Sequence, residues 1–84
     1  MSSNNTQYSL YYYDSCPFCV RVLRTLNQVK VDVELRNIMS DSAHRSALQQ
    51  ATGRSSVPCL RIDNGSKSEW MFESMDIMRF LQSL

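Results

Sequence analysis

Between Tyr8 and Tyr13 the chain reads Tyr-Ser-Leu-Tyr-Tyr-Tyr, an aromatic-rich run that suits the pleated surface of a strand. Beyond Cys16-Pro17-Phe18-Cys19 the period changes. Cys19, Val22, Leu23 and Leu26 fall at i, i+3, i+4 and i+7, the apolar stripe of a helix. From Val29 to Leu35 apolar and polar residues alternate, which predicts a half-buried strand with Val31, Val33 and Leu35 on one side. Ser40-Asp41 offers an N-cap oxygen to a short helix carrying Ala43, Ala47, Leu48 and Ala51. Gly53 can close that helix in a left-handed conformation, and its thin apolar face predicts light packing. Alternation resumes from Val57 to Ile62 after the proline at 58, and Asn64-Gly65 is a hairpin signal that returns Lys67 to Phe72 antiparallel. The last stretch, Ser74 to Leu84, puts Ile77, Met78 and Leu81 on one helical face, flanked by Phe80 and Leu84.

The predicted order is therefore β-α-β-α-β-β-α. A strand-helix-strand unit followed by a hairpin and a closing helix makes an α/β domain with a mixed four-stranded sheet covered by helices. A chain of 84 residues accommodates one such domain, expected over residues 7–84, after a polar lead at 1–6 that reads as a disordered tail. Formal net charge is +1 with acids and bases interspersed, which gives no reason to expect nucleic acid as a partner. No apolar run approaches the roughly 20 residues of a membrane span. The lead lacks the basic and apolar regions of a signal peptide. Three cysteines, two of them three apart, fit a redox or metal pair in a reducing compartment better than a disulfide framework. The expectation is a cytoplasmic monomer with no membrane attachment.

The chemistry concentrates at Cys16-Pro17-Phe18-Cys19, between the first strand and the first helix. Pro17 is tolerated in a first helical turn because its missing N–H has no intrahelical partner there, and this makes Cys16 the N-cap. Unpaired amides and the positive end of the helix dipole stabilise an anion at that position. A thiol of pKa about 8.5 is lowered to roughly 3.5–7.5 in such C-x-x-C settings. Cys16 is thus assigned as nucleophile, and Cys19, one turn further in, as the thiol that resolves a mixed disulfide on Cys16. The same spacing is half of a zinc site, but completing one would need Cys59 and His44, the only histidine, to converge from a strand and a surface helix. No metal is expected on that ground. Cys59 reads as a small core residue and His44 as a solvated one.

Four separated features resemble the thioredoxin-fold glutaredoxins: the Cys16-Pro17-Phe18-Cys19 loop, Val57-Pro58, the Asn64-Gly65 hairpin, and Glu73-Ser74-Met75-Asp76 opening the last helix. The resemblance covers Tyr8 to Leu84. The closing segment is similar to the glutathione-transferase N-terminal domain and to bacterial glutaredoxins on that plan. Tyr13 stands where small glutaredoxins often carry Lys or Arg. The resemblance implies glutathione as reducing co-substrate, with Val57 before a cis Pro58 presenting backbone groups to its cysteinyl unit. It further implies that Glu73 and Ser74 hold the γ-glutamyl end, that Tyr13 lines the groove, and that Arg54 is a candidate for the glycine carboxylate. The implied activity is a dithiol–disulfide oxidoreductase acting on glutathionylated and disulfide-containing proteins. Two rival readings are a glutathione-binding, transferase-like module and a scaffold for a glutathione-ligated iron–sulfur cluster.

Overall fold

The computed structural model describes residues 6–84 and contains β1 (Thr6–Tyr12), α1 (Pro17–Gln28), β2 (Val33–Asn37), α2 (Ser42–Thr52), β3 (Cys59–Asn64), β4 (Lys67–Met71) and α3 (Ser74–Gln82). This is the expected order. Of the expected tail, residues 1–5 lie outside the described residues and Thr6 belongs to β1, where its hydroxyl donates to Asn64 Oδ1 at 2.9 Å. The four strands form one sheet in the order β2-β1-β3-β4, with β2 parallel to β1 and the other neighbours antiparallel. The arrangement is a thioredoxin-like fold.

Alternation along β1 gives the sheet two different faces. Leu10, Leu60 and Ile62 pack with Val22 of α1 and with Ile77 and Leu81 of α3, and Tyr8, Tyr12, Val33 and Met71 border this main core. On the opposite face Tyr11 and Cys59 pack with Ile38 and with Leu48, the one fully buried side chain of α2. Ala43 and Ala51 stay exposed, so α2 is the lightly packed helix its composition predicts. Tyr11 is buried to its hydroxyl. That oxygen accepts a hydrogen bond from Arg36 Nη1 at 2.7 Å, which removes the cost of an unpaired polar atom.

The helix ends follow local chemistry. Asp41 caps α2 by accepting from the Ala43 amide at 2.9 Å, and Gly53, at φ 79°, closes it from the left-handed region. The hairpin turn lies one residue later than its sequence signal predicts. Asn64 is still paired, opposite Lys67, and Gly65 with φ 69° takes the first of the two loop positions. Strand starts are later too: β2 begins at Val33 and β3 at Cys59, because the ladders start at Tyr8↔Val33 and Tyr11↔Cys59. Leu35 is on the expected side but little covered. It lies on the core side of the sheet by register, yet β2 is an edge strand and leaves it 49% exposed. Among the described residues no helix is long and apolar enough to cross a membrane.

Replacing Leu60 or Leu81 with Ala removes a fully buried side chain and is expected to cost about 2–5 kcal/mol in urea unfolding. Leu35→Ala should stay within about 0.5 kcal/mol. Equal losses at Leu35 and Leu60 would contradict the edge assignment.

Candidate functional site

The turn after β1 delivers Cys16 to the start of α1. Its amide donates to the Tyr13 carbonyl at 3.3 Å, its carbonyl accepts from the Val20 amide at 3.0 Å, and its extended backbone (φ −78°, ψ 117°) is that of an N-cap residue. Pro17 follows in the first helical turn, as expected. The Cys16 sulfur accepts a hydrogen bond from the Cys19 amide at 3.2 Å, so the sulfur does the capping that an oxygen does elsewhere. No acidic residue lies in the first turn of α1 to oppose negative charge there.

The two sulfurs have different surroundings. Cys16 retains 4% of its surface and Cys19 none. Burial pushes the Cys19 thiol up to about 12; the hydrogen bond and the charge of Cys16 add to this, and a hydrogen bond with the Tyr13 backbone opposes it. Cys19 therefore holds its proton at neutral pH. Cys59, fully buried beside Tyr11, is likewise pushed up to about 12 by burial, with the charge of Arg54 working the other way. All three cysteines are thiols in this structure.

Beside this turn a groove of about 240 Å³ gathers Val57, Pro58, Glu73 and Ser74 from two distant stretches of sequence. The Val57–Pro58 peptide bond is cis. Arg54 joins the same groove, its guanidinium 4.1 Å from the centre of the Phe72 ring. Glu73 is the N-cap of α3 and makes no side-chain capping bond, so its carboxylate is not occupied in closing the helix. Phe18, 55% exposed, and Ser56 complete the wall with Phe72. Sequence reasoning gave these three no role. Phe18 alone carried a signal, as an aromatic on the solvent side of an otherwise amphipathic helix.

Tyr13 is not part of this groove. It lines a separate cavity of about 670 Å³, on the α2 side, and packs against the Tyr11 cluster. Tyr13, which the resemblance assigns to the glutathione groove, is here among the lining of this second cavity, while Phe18 lines the first. His44 is also less solvated than expected. Its ring meets Tyr11 edge-on at 6.4 Å and lies 3.7 Å from the Asp41 carboxylate. Among the described residues no group of three His, Cys, Asp or Glu side chains is placed to hold a metal ion.

A thioredoxin-like sheet with a C-x-x-C pair at the start of its first helix and a cis-proline beside it defines the thioredoxin-like class of thiol proteins. Comparison with known proteins narrows this. The glutaredoxin family profile matches residues 8–66. Glutaredoxin 2 of Escherichia coli is 33% identical over 75 residues, which cover 89% of this chain and 33% of the relative. The chain thus spans about a third of the length of the curated relatives it matches. Among solved structures it is similar to the trimeric glutathione transferase TDR1 of Leishmania, with a TM-score of 0.73, 29% identity, and coverage of 90% of this chain and 17% of that one. It also matches the thioredoxin-like protein BC3987, with a TM-score of 0.70, 25% identity, and coverage of 89% and 100%. The chain belongs to the glutaredoxin family.

Two thiols held near pKa 12 dictate a pattern of alkylation. In the folded protein, iodoacetamide modification of Cys19 and Cys59 should be slow at pH 8 and should rise about tenfold per pH unit up to pH 11, tracking thiolate fraction. Mass spectrometry of the labelled peptides checks this, and an early plateau for Cys59 would contradict its burial. The linked stability has a definite sign. A thiol whose folded value is raised from 9.0 to about 12 contributes fully below pH 9, and that contribution is lost as pH rises toward 12. Cys59→Ala should therefore flatten the alkaline limb of the stability curve between those values.

Proposed function

We propose that this protein is a glutathione-dependent thiol–disulfide oxidoreductase with Cys16 as its nucleophile. The observation that carries the proposal is the Cys16 sulfur accepting from the Cys19 amide in the first turn of α1, next to a groove that combines Val57-Pro58 with Glu73-Ser74. A helix N-terminus stabilises a thiolate, and the thiolate is the attacking species in disulfide exchange.

Glutathione suits the groove by charge and shape. It brings an ammonium and two carboxylates at the ends of a short peptide, and the groove offers the Glu73 carboxylate, the Ser74 hydroxyl at the head of α3, and the Arg54 guanidinium. Val57 precedes the first β3 ladder pair, which leaves the cysteinyl unit room to lie along the backbone as a short added strand. Docked this way, the tripeptide presents its sulfur to Cys16, and orientation alone accelerates exchange.

The proposed cycle begins when the Cys16 thiolate attacks the glutathione sulfur of a protein–glutathione mixed disulfide. A Cys16–glutathione disulfide forms, the original bond breaks, and the protein leaves as a thiolate that takes a proton from solvent. A second glutathione, as thiolate, attacks the adduct, releasing glutathione disulfide and restoring the Cys16 thiolate. Each turnover reduces one mixed disulfide at the expense of two glutathione sulfurs, one of them from the substrate. For protein disulfides, Cys19 gives up its proton and attacks Cys16 in the mixed disulfide, releasing the partner thiolate and leaving a Cys16–Cys19 disulfide for glutathione to reduce. Such a cycle needs a glutathione-rich, reducing compartment, for which the cytoplasm is the proposed location.

Reduction of a small glutathione mixed disulfide tests the reading. Cys16→Ser should abolish turnover, while Cys19→Ser should retain a substantial part of it, because the monothiol cycle does not need the second sulfur. Loss in both variants would favour an obligate dithiol route without a glutathione adduct, and full activity in Cys16→Ser would favour a transferase-like module. Ser74→Ala and Glu73→Gln should each raise KM for glutathione by about 3- to 30-fold with little change in kcat, the cost of one charge-assisted hydrogen bond used equally in ground and transition states.

A further inference from the structure

The cavity of about 670 Å³ has no part in the proposed cycle, yet it adjoins the nucleophile as closely in sequence as the groove does. Ser15 lines the cavity and Phe18 lines the groove, with only Cys16 and Pro17 between them; Ser55 lines the cavity and Ser56 the groove. The two hollows share no lining residue, and each takes a near neighbour of Cys16 and one residue of the Ser55-Ser56 step. A mixed disulfide has two arms. When glutathione fills the groove, the other arm must lie along another part of the surface or point away from the protein.

The cavity is built to keep its shape. Asn37 Nδ2 donates to Asp14 Oδ2 at 3.3 Å, joining the loop after β2 to the loop after β1. Asn37 Oδ1 accepts from the amides of Met39 and Ser40 at 2.8 and 3.2 Å, and the Ile38 amide donates to the Tyr12 carbonyl at 2.9 Å. Met39 is held out to solvent with 71% of its surface exposed, an unusual position for a long apolar side chain. Arg45, from the first half of α2, lines the same hollow and forms no ion pair or ring contact among the described residues. The acidic wall residue, Asp14, is already engaged by Asn37. Asp14 keeps its charge, but Arg45 is the charged group on this wall with no side-chain partner among the described residues, and it stands beside an exposed thioether and the Tyr13 ring.

We propose that this cavity is the subsite for the polypeptide arm of the substrate, and that it selects cysteines flanked by an apolar side chain and a carboxylate. The apolar side chain lies against Met39 and Tyr13, and the carboxylate pairs with Arg45. This rests on the reading of Cys16 as a nucleophile with glutathione in the groove and adds the class of protein segment it acts on. The chemistry is the first step already written: the peptide–glutathione disulfide breaks, the Cys16–glutathione bond forms, and the peptide leaves the cavity as a thiolate that is protonated by solvent.

The test compares three glutathione mixed disulfides: a small one with 2-mercaptoethanol, a peptide with Leu and Glu flanking its cysteine, and the same peptide with Lys in place of Glu. In the unaltered protein kcat/KM should follow the order acidic peptide, basic peptide, small disulfide. Arg45→Glu should lower the ratio of acidic to basic peptide by about tenfold or more, because it reverses the sign of a charge within a few ångströms of the substrate's. Met39→Ser should lower both peptides relative to the small disulfide. A ratio indifferent to Arg45→Glu would overturn the subsite, as would a change in KM for glutathione as large as the change for the peptide, which would place the tripeptide in the cavity. Should the small disulfide not be reduced at all, the functional reading fails by itself. The subsite is then judged by adding a non-reducible acidic peptide, its cysteine replaced by Ser, to Cys16→Ser protein: shifts in amide resonances at Ile38, Met39 and Arg45 support it, and their absence refutes it.

Discussion

One hydrogen bond organises the site: the Cys19 amide to the Cys16 sulfur, across the first turn of α1. It requires the helix to begin at residue 17, and three local features enforce this. Pro17 cannot donate and so belongs at the first position. The Cys16 amide is tied back to Tyr13, and the stripe through Cys19, Val22 and Thr25 anchors the helix to the sheet. A start one residue later would move the sulfur off the amides. The charge stabilisation would go with it, since the field of a helix end falls off within a turn.

Sheet topology brings everything else to that sulfur. β1 and β2 are parallel, and Tyr12 is opposite Asn37, so both strands end at the same rim and the loop bearing Ile38 and Met39 leaves beside the Cys16 turn. β3 runs against β1 with Cys59 opposite Tyr11, which puts the segment preceding β3, Val57-Pro58, at that rim. β4 runs against β3 with Met71 opposite Leu60, so its exit through Phe72 to Glu73 and Ser74 arrives there too. Residues more than forty positions apart in sequence meet because strand direction leaves them no other end of the sheet.

The same logic separates what was legible in the sequence from what was not. Element order and the capping residues Cys16, Asp41 and Gly53 are local chemistry, and local periodicity exposes them. The motif Cys16-Pro17-Phe18-Cys19 with Val57-Pro58 and Glu73-Ser74 was legible by resemblance, although only the strand pairing puts those pieces together. Strand ends and the hairpin centre were off by one to a few residues, because a ladder is set by its partner and not by its own alternation. Leu35 lies on the side its alternation assigns, but only sheet order says that this strand is at an edge and leaves it exposed. Tyr13 was assigned to the glutathione groove by resemblance and lines the other cavity, and Arg45 was given no role, because a wall made of several loops has no period to read.

The unequal sulfurs also suggest how a buried thiol can serve as the resolving group in the proposed dithiol cycle. In the resting protein three influences hold the proton on Cys19: burial, the hydrogen bond with Cys16, and the charge of Cys16. Two of these come from Cys16. Once Cys16 is joined to a substrate its sulfur is neutral and a poor acceptor, so both influences lapse, while the opposing hydrogen bond with the Tyr13 backbone remains. Burial alone is then left to protect the thiol. In the proposed cycle, the covalent step that creates the need for a second nucleophile would thus also remove two of the influences that hold the proton on Cys19.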